Sequence, residues 1–173
     1  MKKERWEIWA ENEKVLNRDF SAYLRKKAIR KGATALEAKG HLAKAKRNLY
    51  FARRIIDDLK GFYEWAIIAY YYAVYQAALS LCASKGCKTK RHIATLCILI
   101  KLFYPKHVSR EDVRAIAGTM MMQDDIRGFA ELKGYREDAA YSISTEYEKS
   151  LAESLGEKAT AFVNKAEKIL SKK

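Results

Sequence analysis

Cys82, Cys87, His92 and Cys97 recur every five residues, a C-x4-C-x4-H-x4-C run whose residue types are those of a zinc site. The spacing departs from the CCHC zinc-knuckle pattern only in its first gap. Knuckle ligands sit in turns, whereas Cys82 lies in AALSLCAS and Cys97 in ATLCILI, apolar helical surroundings in which cysteine acts as a small hydrophobe. The reading is three reduced packing thiols, with no metal and no cofactor. A second pattern is cationic. Lys39, Lys46, Arg53 and Lys60 stand seven apart, with Arg47 and Arg54 alongside, inside an arc of about 140° on one predicted helix. Such a rail suits phosphates, although Asp57 and Asp58 interrupt it and helices also turn cationic faces simply to water. The segment SAYLRKKAIRK adds Arg25, Lys26, Lys27, Arg30 and Lys31, with Tyr23 as a stacking candidate.

Tyr70, Tyr71, Tyr72 and Tyr75 could form a platform for bases. In a helix with almost no charge, such tyrosines are expected to pack in the core with their hydroxyls paired. Met120, Met121 and Met122 read as packing residues. The acid pairs Asp57-Asp58, Asp124-Asp125 and Glu137-Asp138 are adjacent in sequence, so helical geometry splays each pair by about 100° and none makes a two-carboxylate site. The sequence has no GxxxxGK[ST], no HExxH and no GxSxG, which leaves hydrolysis by a common local motif unsupported.

The elements that must hold these residues read as helices throughout. The first spans about Lys3 to Leu16, and a second runs from Asp19 as N-cap to Lys31, stopping at Gly32. From Thr34 to Lys60, Ala38, Leu42, Ala45, Leu49, Ala52, Ile56 and Leu59 share one broad face that must be buried, and Gly61 closes the helix. Phe62 to Lys85, carrying Glu64 and little other charge, is the predicted central helix, closed by Gly86. Lys90 to Phe103 follows, ending near Pro105. Ser109 and Asp112 open a helix to about Leu132, before Gly134, and Thr145-x-x-Glu148 is a capping box for the last helix, Glu146 to Leu170. No stretch alternates with period two for long enough to be a strand. Short loops join the helices, so the predicted fold is an all-α, up-and-down bundle of four to five core helices, with a basic helical extension over residues 1–40 and the bundle over 41–173.

With 173 residues, 49% hydrophobic, a single proline and eight glycines, the chain fits one helical core, which excludes a disordered chain and argues against a turn-rich β sandwich. The most apolar stretch, Trp65 to Cys82, contains Tyr70, Tyr71, Tyr72, Tyr75, Gln76 and Ser80 and reads as short of the roughly 20 apolar residues of a membrane span. A buried helix and a cytoplasmic protein without membrane contact are expected, since MKKERWEIWAENEK lacks the apolar core of a secretory signal. The net charge of +13 is uneven. Residues 1–60 hold 17 basic and 8 acidic groups, 61–110 hold 7 and 1, and 111–173 hold 10 and 12, which gives +9, +6 and −2. A basic front with an acidic tail implies a polyanionic partner or contacts between unlike halves of one fold or of two copies.

HLAKAKRNLYFARRIID, EWAIIAYYYAVYQAALSLCASKGCKTKRH and LKGYREDAAY, followed by a last helix, together resemble HEPN domains. The likeness is strongest to the subgroup with a YYA-type helix followed by a small-residue turn and a Lys/His pair. It runs from about His41 to Leu170. The resemblance implies a helical bundle that homodimerises and is encoded beside a minimal nucleotidyltransferase as a toxin–antitoxin pair. It also implies metal-independent ribonuclease activity in many members, through an Arg followed after four to six residues by His. The Arg holds phosphate charge and the His assists proton transfer across a dimer cleft.

At the matching place this chain has Arg136 and, in place of the histidine, Tyr141. A phenol with a pKa near 10 is a poor general base at neutral pH. None of His41, His92 or His107 follows an arginine at the required interval. By the resemblance the chain is a nucleotide- or RNA-binding module, with Arg136 on phosphate, Tyr141 as a hydrogen-bonding group or a target for adenylylation by the transferase, and Lys90 and His92 lining the same cleft. The rivals are a weak ribonuclease using Arg136 and Tyr141, and a bundle that binds nucleic acid through Lys46, Arg47, Arg53 and Arg54.

Overall fold

A computed structural model describes residues 3–118 and 149–172. The described elements are α1 (Arg5–Glu11), α2 (Glu13–Arg25), β1 (Arg30–Lys31), α3 (Ala35–Asp58), α4 (Tyr63–Ser84), β2 (Cys87–Lys88), α5 (His92–Phe103), α6 over residues 110–118, and α7 (Lys149–Ser171). The fold is all-α apart from one two-residue ribbon among the described residues, which the sequence did not signal. Arg136, Tyr141, the Met120–Met122 run, the acid pairs Asp124-Asp125 and Glu137-Asp138, the Leu132 helix end and the Thr145-x-x-Glu148 box lie outside the described residues.

The helix starts follow from local chemistry. Thr34 caps α3: its Oγ1 accepts from the Glu37 N–H at 3.2 Å while the Glu37 carboxylate accepts from the Thr34 N–H at 2.8 Å. Ser109 and Asp112 make the same reciprocal pair before α6, at 3.2 and 2.7 Å. Gly61 and Gly86, with φ of 86° and 71°, stand where α3 and α4 stop, as expected of residues that meet no Cβ penalty there.

The amino-terminal pair differs from its reading. The predicted first helix is cut at Asn12, whose side chain accepts from the Val15 N–H at 3.1 Å and starts a new helix there. Asp19 is therefore inside α2. It is no cap, because its carboxylate accepts from the Trp9 indole N–H at 2.8 Å and pairs with Arg5 and Arg18. That helix ends at Arg25, short of Lys31. Lys27, at φ 55°, takes the left-handed turn, and Gly32 comes after β1.

Three long helices form the centre, α3 against α4, α4 against α7 and α3 against α7. Lys46 pairs with Glu167 and Arg53 donates to Thr160 Oγ1 at 3.1 Å, so α7 descends as α3 ascends. A short connection makes α3 and α4 antiparallel as well, so α4 and α7 run in one direction. Gly156 sits directly against the Tyr70 ring, with no room for a side chain between them.

α5 is apolar nearly all round, with Ala94 to Ile100 continuously buried, so it needs cover on opposite faces. One side packs on α4 and the other on α1 and α2. Trp6, Trp9, Leu16 and Ile29, all from the extension read at residues 1–40, share the apolar cluster of α4 and α5. By length and composition α4 does reach the membrane-spanning range, contrary to the reading of Trp65 to Cys82. Within the protein 83% of its most apolar window is buried, which accounts for the composition.

Candidate functional site

β1 and β2 pair antiparallel with Arg30 opposite Lys88 and Lys31 opposite Cys87, which sets two cations side by side across the ribbon. Like charges directly opposite each other weaken a ribbon. Lys88 is offset by Glu37, at 2.7 Å, and the bond from Lys88, with the Thr34 N–H, holds the Glu37 carboxyl below its ordinary pKa. Arg30 and Lys90 have no ion-pair partner among the described residues.

These residues line a groove of about 360 Å³, at the lower end of the roughly 300–1,000 Å³ usual for small-ligand sites. The ribbon and the following turn bring Arg30, Lys88, Thr89 and Lys90. α3 brings Glu37 and His41, and α4 brings Tyr75, Leu79 and Ala83. His41 Nδ1 lies 2.7 Å from Gln76 Oε1, an acceptor, so Nδ1 carries the proton in that bond and Nε2 is the basic nitrogen of the neutral ring. Thr89 Oγ1 accepts from the Arg91 N–H at 3.1 Å, which fixes the turn that presents Lys90.

Behind this wall the aromatics are stacked. The His92 ring lies 4.5 Å from Tyr75 and 5.6 Å from Tyr71, centroid to centroid, and the Tyr71 and Tyr75 rings are stacked at 6.1 Å. The Tyr71 hydroxyl is 2.8 Å from His92 Nδ1. Burial raises the Tyr75 hydroxyl above its ordinary pKa, against a hydrogen bond with Thr95 that acts to lower it. Tyr70, Tyr71 and Tyr75 are buried, as the core reading held, and Tyr72 is exposed. Tyr75 does both tasks, since it packs in the core and also faces the groove.

The residues named from sequence are thus brought together in part. Lys90 lines the groove, and His92 adjoins it through Tyr75. The α3 cations point elsewhere: Lys46 and Arg53 reach α7, Arg54 pairs with Asp58, and Arg47 is exposed. Arg136 and Tyr141 lie outside the described residues. Sequence reasoning missed His41, Lys88 and Thr89, and weighed Arg30 only as part of a charge run. The signal for Lys88 and Thr89 was the polar run Lys88-Thr89-Lys90-Arg91-His92 between two apolar helices.

The Cys/His run is dispersed. Cys82 and Cys97 are buried in helices, His92 is bonded to Tyr71, and no group of three His, Cys, Asp or Glu able to hold a metal occurs among the described residues. Burial pushes the Cys97 thiol up to about 12 and the Cys82 thiol well above its ordinary value. Both are poor nucleophiles as a result.

The sequence matches the family model for the HEPN domain over residues 38–170. No curated protein matches it in sequence.

Proposed function

We propose, from the premise that the chain belongs to the HEPN domain family, that it is a nucleotide- or RNA-binding module rather than a cutting enzyme. It works in the cytoplasm as a homodimer, as one half of a toxin–antitoxin type pair with a minimal nucleotidyltransferase encoded nearby. The observation that carries this reading is the groove at the ribbon, where Arg30 and Lys90, unpaired with acids among the described residues, converge with the His41 imidazole and the Tyr75 ring. Guanidinium and ammonium groups bind phosphate, and a ring with an imidazole beside it offers a face and a hydrogen-bonding edge to a base. Tyr141 in place of histidine supports loss of cleavage, since phenol is a weak general base at neutral pH.

The test pairs binding with chemistry. Fluorescently labelled single-stranded RNA and ATP are titrated against wild type and an Arg30→Gln/Lys90→Gln variant, with an expected loss of about tenfold or more in affinity. The same RNA is incubated with wild type and Arg136→Ala in EDTA. No cleavage by either supports a binding module. Cleavage by wild type that is lost in Arg136→Ala would replace this reading with a metal-independent ribonuclease.

A further inference from the structure

A second concavity, of about 340 Å³, is lined by Lys85, Lys106, Lys165, Lys168 and Lys172 with His107, over a floor of Phe103 and Ile169. Among the described residues no carboxylate lines it. The five lysines come from three separate parts of the chain: the cap of α4, the turn after α5, and one face of α7. Lys85 Nζ sits 5.7 Å from the Phe103 ring centroid, and Lys165 donates to Asp112.

Part of this charge has a structural use. The carboxyl ends of α4, α5 and α7 meet here, and each helix end carries roughly −0.5 of a charge, so about −1.5 needs compensation. Asp112 accounts for Lys165. Four lysines with no ion-pair partner among the described residues remain against about −1.5, an excess of about 2.5 positive charges in one hollow. Lys85, Lys106, Lys168 and Lys172 are all exposed, and their convergence on one hollow leaves a mutual repulsion that a multiply charged anion would relieve.

We propose that this hollow binds a small polyphosphate anion. Its volume, near the bottom of the range for small-ligand sites, fits a short phosphate chain. Its charged lining is lysine, flexible point charges suited to a compact, highly charged group. The chain of phosphates can come from inorganic triphosphate or from a nucleoside triphosphate. The site is separate from the groove at the ribbon, and it shares none of the groove's lining residues.

Isothermal titration at low ionic strength with inorganic triphosphate, ATP and a short single-stranded RNA tests it. The variants are Lys106→Gln/Lys168→Gln/Lys172→Gln and, as control, Lys14→Gln/Lys158→Gln, two exposed lysines that line neither concavity. Triphosphate should bind wild type and the control alike and bind the triple variant at least about tenfold more weakly. Circular dichroism checks that the variant is folded, and an NMR titration should move the amide signals of Lys106, His107 and Lys168 in wild type. Equal affinity for ATP and triphosphate places recognition in the phosphates. Absence of triphosphate binding, unchanged binding in the triple variant, or binding of RNA or ATP here without triphosphate would each overturn the proposal. Loss of triphosphate binding in the control variant would also overturn it, since attraction to the overall positive charge would then account for the binding.

Discussion

Asp19 joins the amino-terminal helices to each other through a single carboxylate. It accepts from the Trp9 indole N–H at 2.8 Å and pairs with Arg5 and Arg18, and Trp9 itself is 1% exposed. Burial acts to raise the Asp19 pKa, but the bonds from Trp9, Arg5 and Arg18 prevail and hold it below the ordinary value. A carboxyl with a depressed folded-state pKa contributes stability that is present above its unfolded pKa and is lost as pH falls through the folded one. Acidification below about pH 4 should therefore loosen α1 from α2, seen as a change in tryptophan fluorescence before the helical signal is lost. Asp19→Ala should reproduce that change at neutral pH and cost about 1–3 kcal/mol in chemical denaturation, because it leaves a buried indole N–H without an acceptor. The buried thiols have the opposite sign. Cys97, pushed up to about 12 by burial, stays protonated in the fold when an unfolded chain would begin to ionise, so stability should fall as pH rises above about 9. At pH 8 in native buffer, Cys82 and Cys97 should resist iodoacetamide and react once denaturant is added, which intact mass resolves.

Among the elements, α4 and α7 run in the same direction in direct contact, and at Gly156 the α7 backbone lies directly against the Tyr70 ring of α4. A Cβ placed there would stand 2.6 Å from Tyr70 Cζ and 2.7 Å from its hydroxyl. The ring is 4% exposed and has little freedom to retreat. Alanine favours a helix over glycine by roughly 0.5–1 kcal/mol, but overpacking costs typically 1–3 kcal/mol, so Gly156→Ala should be net destabilising by about 1 kcal/mol in urea. A neutral or stabilising result would mean that α7 can slide on α4. Helix starts held by local chemistry, such as Thr34 with Glu37 and Ser109 with Asp112, were legible because donor and acceptor lie three residues apart. Asn12 was overlooked since a cap inside a run of helix formers looks like any other polar position. The ribbon is too short, at two residues a strand, for an alternating pattern to register. Of the groove, Lys90 and His92 were named through the likeness to the HEPN family, while His41 is placed by a partner 35 residues away, a contact that no local pattern encodes. The α3 rail has the same limit. Its seven-residue spacing describes which cations share a face, and says nothing of α7 lying against that face with Glu167 and Thr160.

At the scale of the whole molecule a net charge of +13 attracts any polyanion, so weak binding to RNA would by itself locate nothing. Location can be read from salt. Each phosphate neutralised on a single strand contributes about −0.7 to the slope of log affinity against log salt, so a groove that engages RNA through Arg30 and Lys90 predicts roughly −1.4. A rail using Lys46, Arg47, Arg53 and Arg54 predicts about −2.8 instead. The fold favours the shallower slope, because Lys46 and Arg53 already reach α7 and Arg54 pairs with Asp58, and giving up those contacts would offset part of any gain. The slopes of variants separate the two more sharply than the wild-type value does. Arg30→Gln should reduce the magnitude by about 0.7 while Arg53→Ala leaves it unchanged. A flattened slope in Arg53→Ala together with an unaltered one in Arg30→Gln would move the interface from the ribbon to the cations of α3, and the groove would then have to hold something other than RNA.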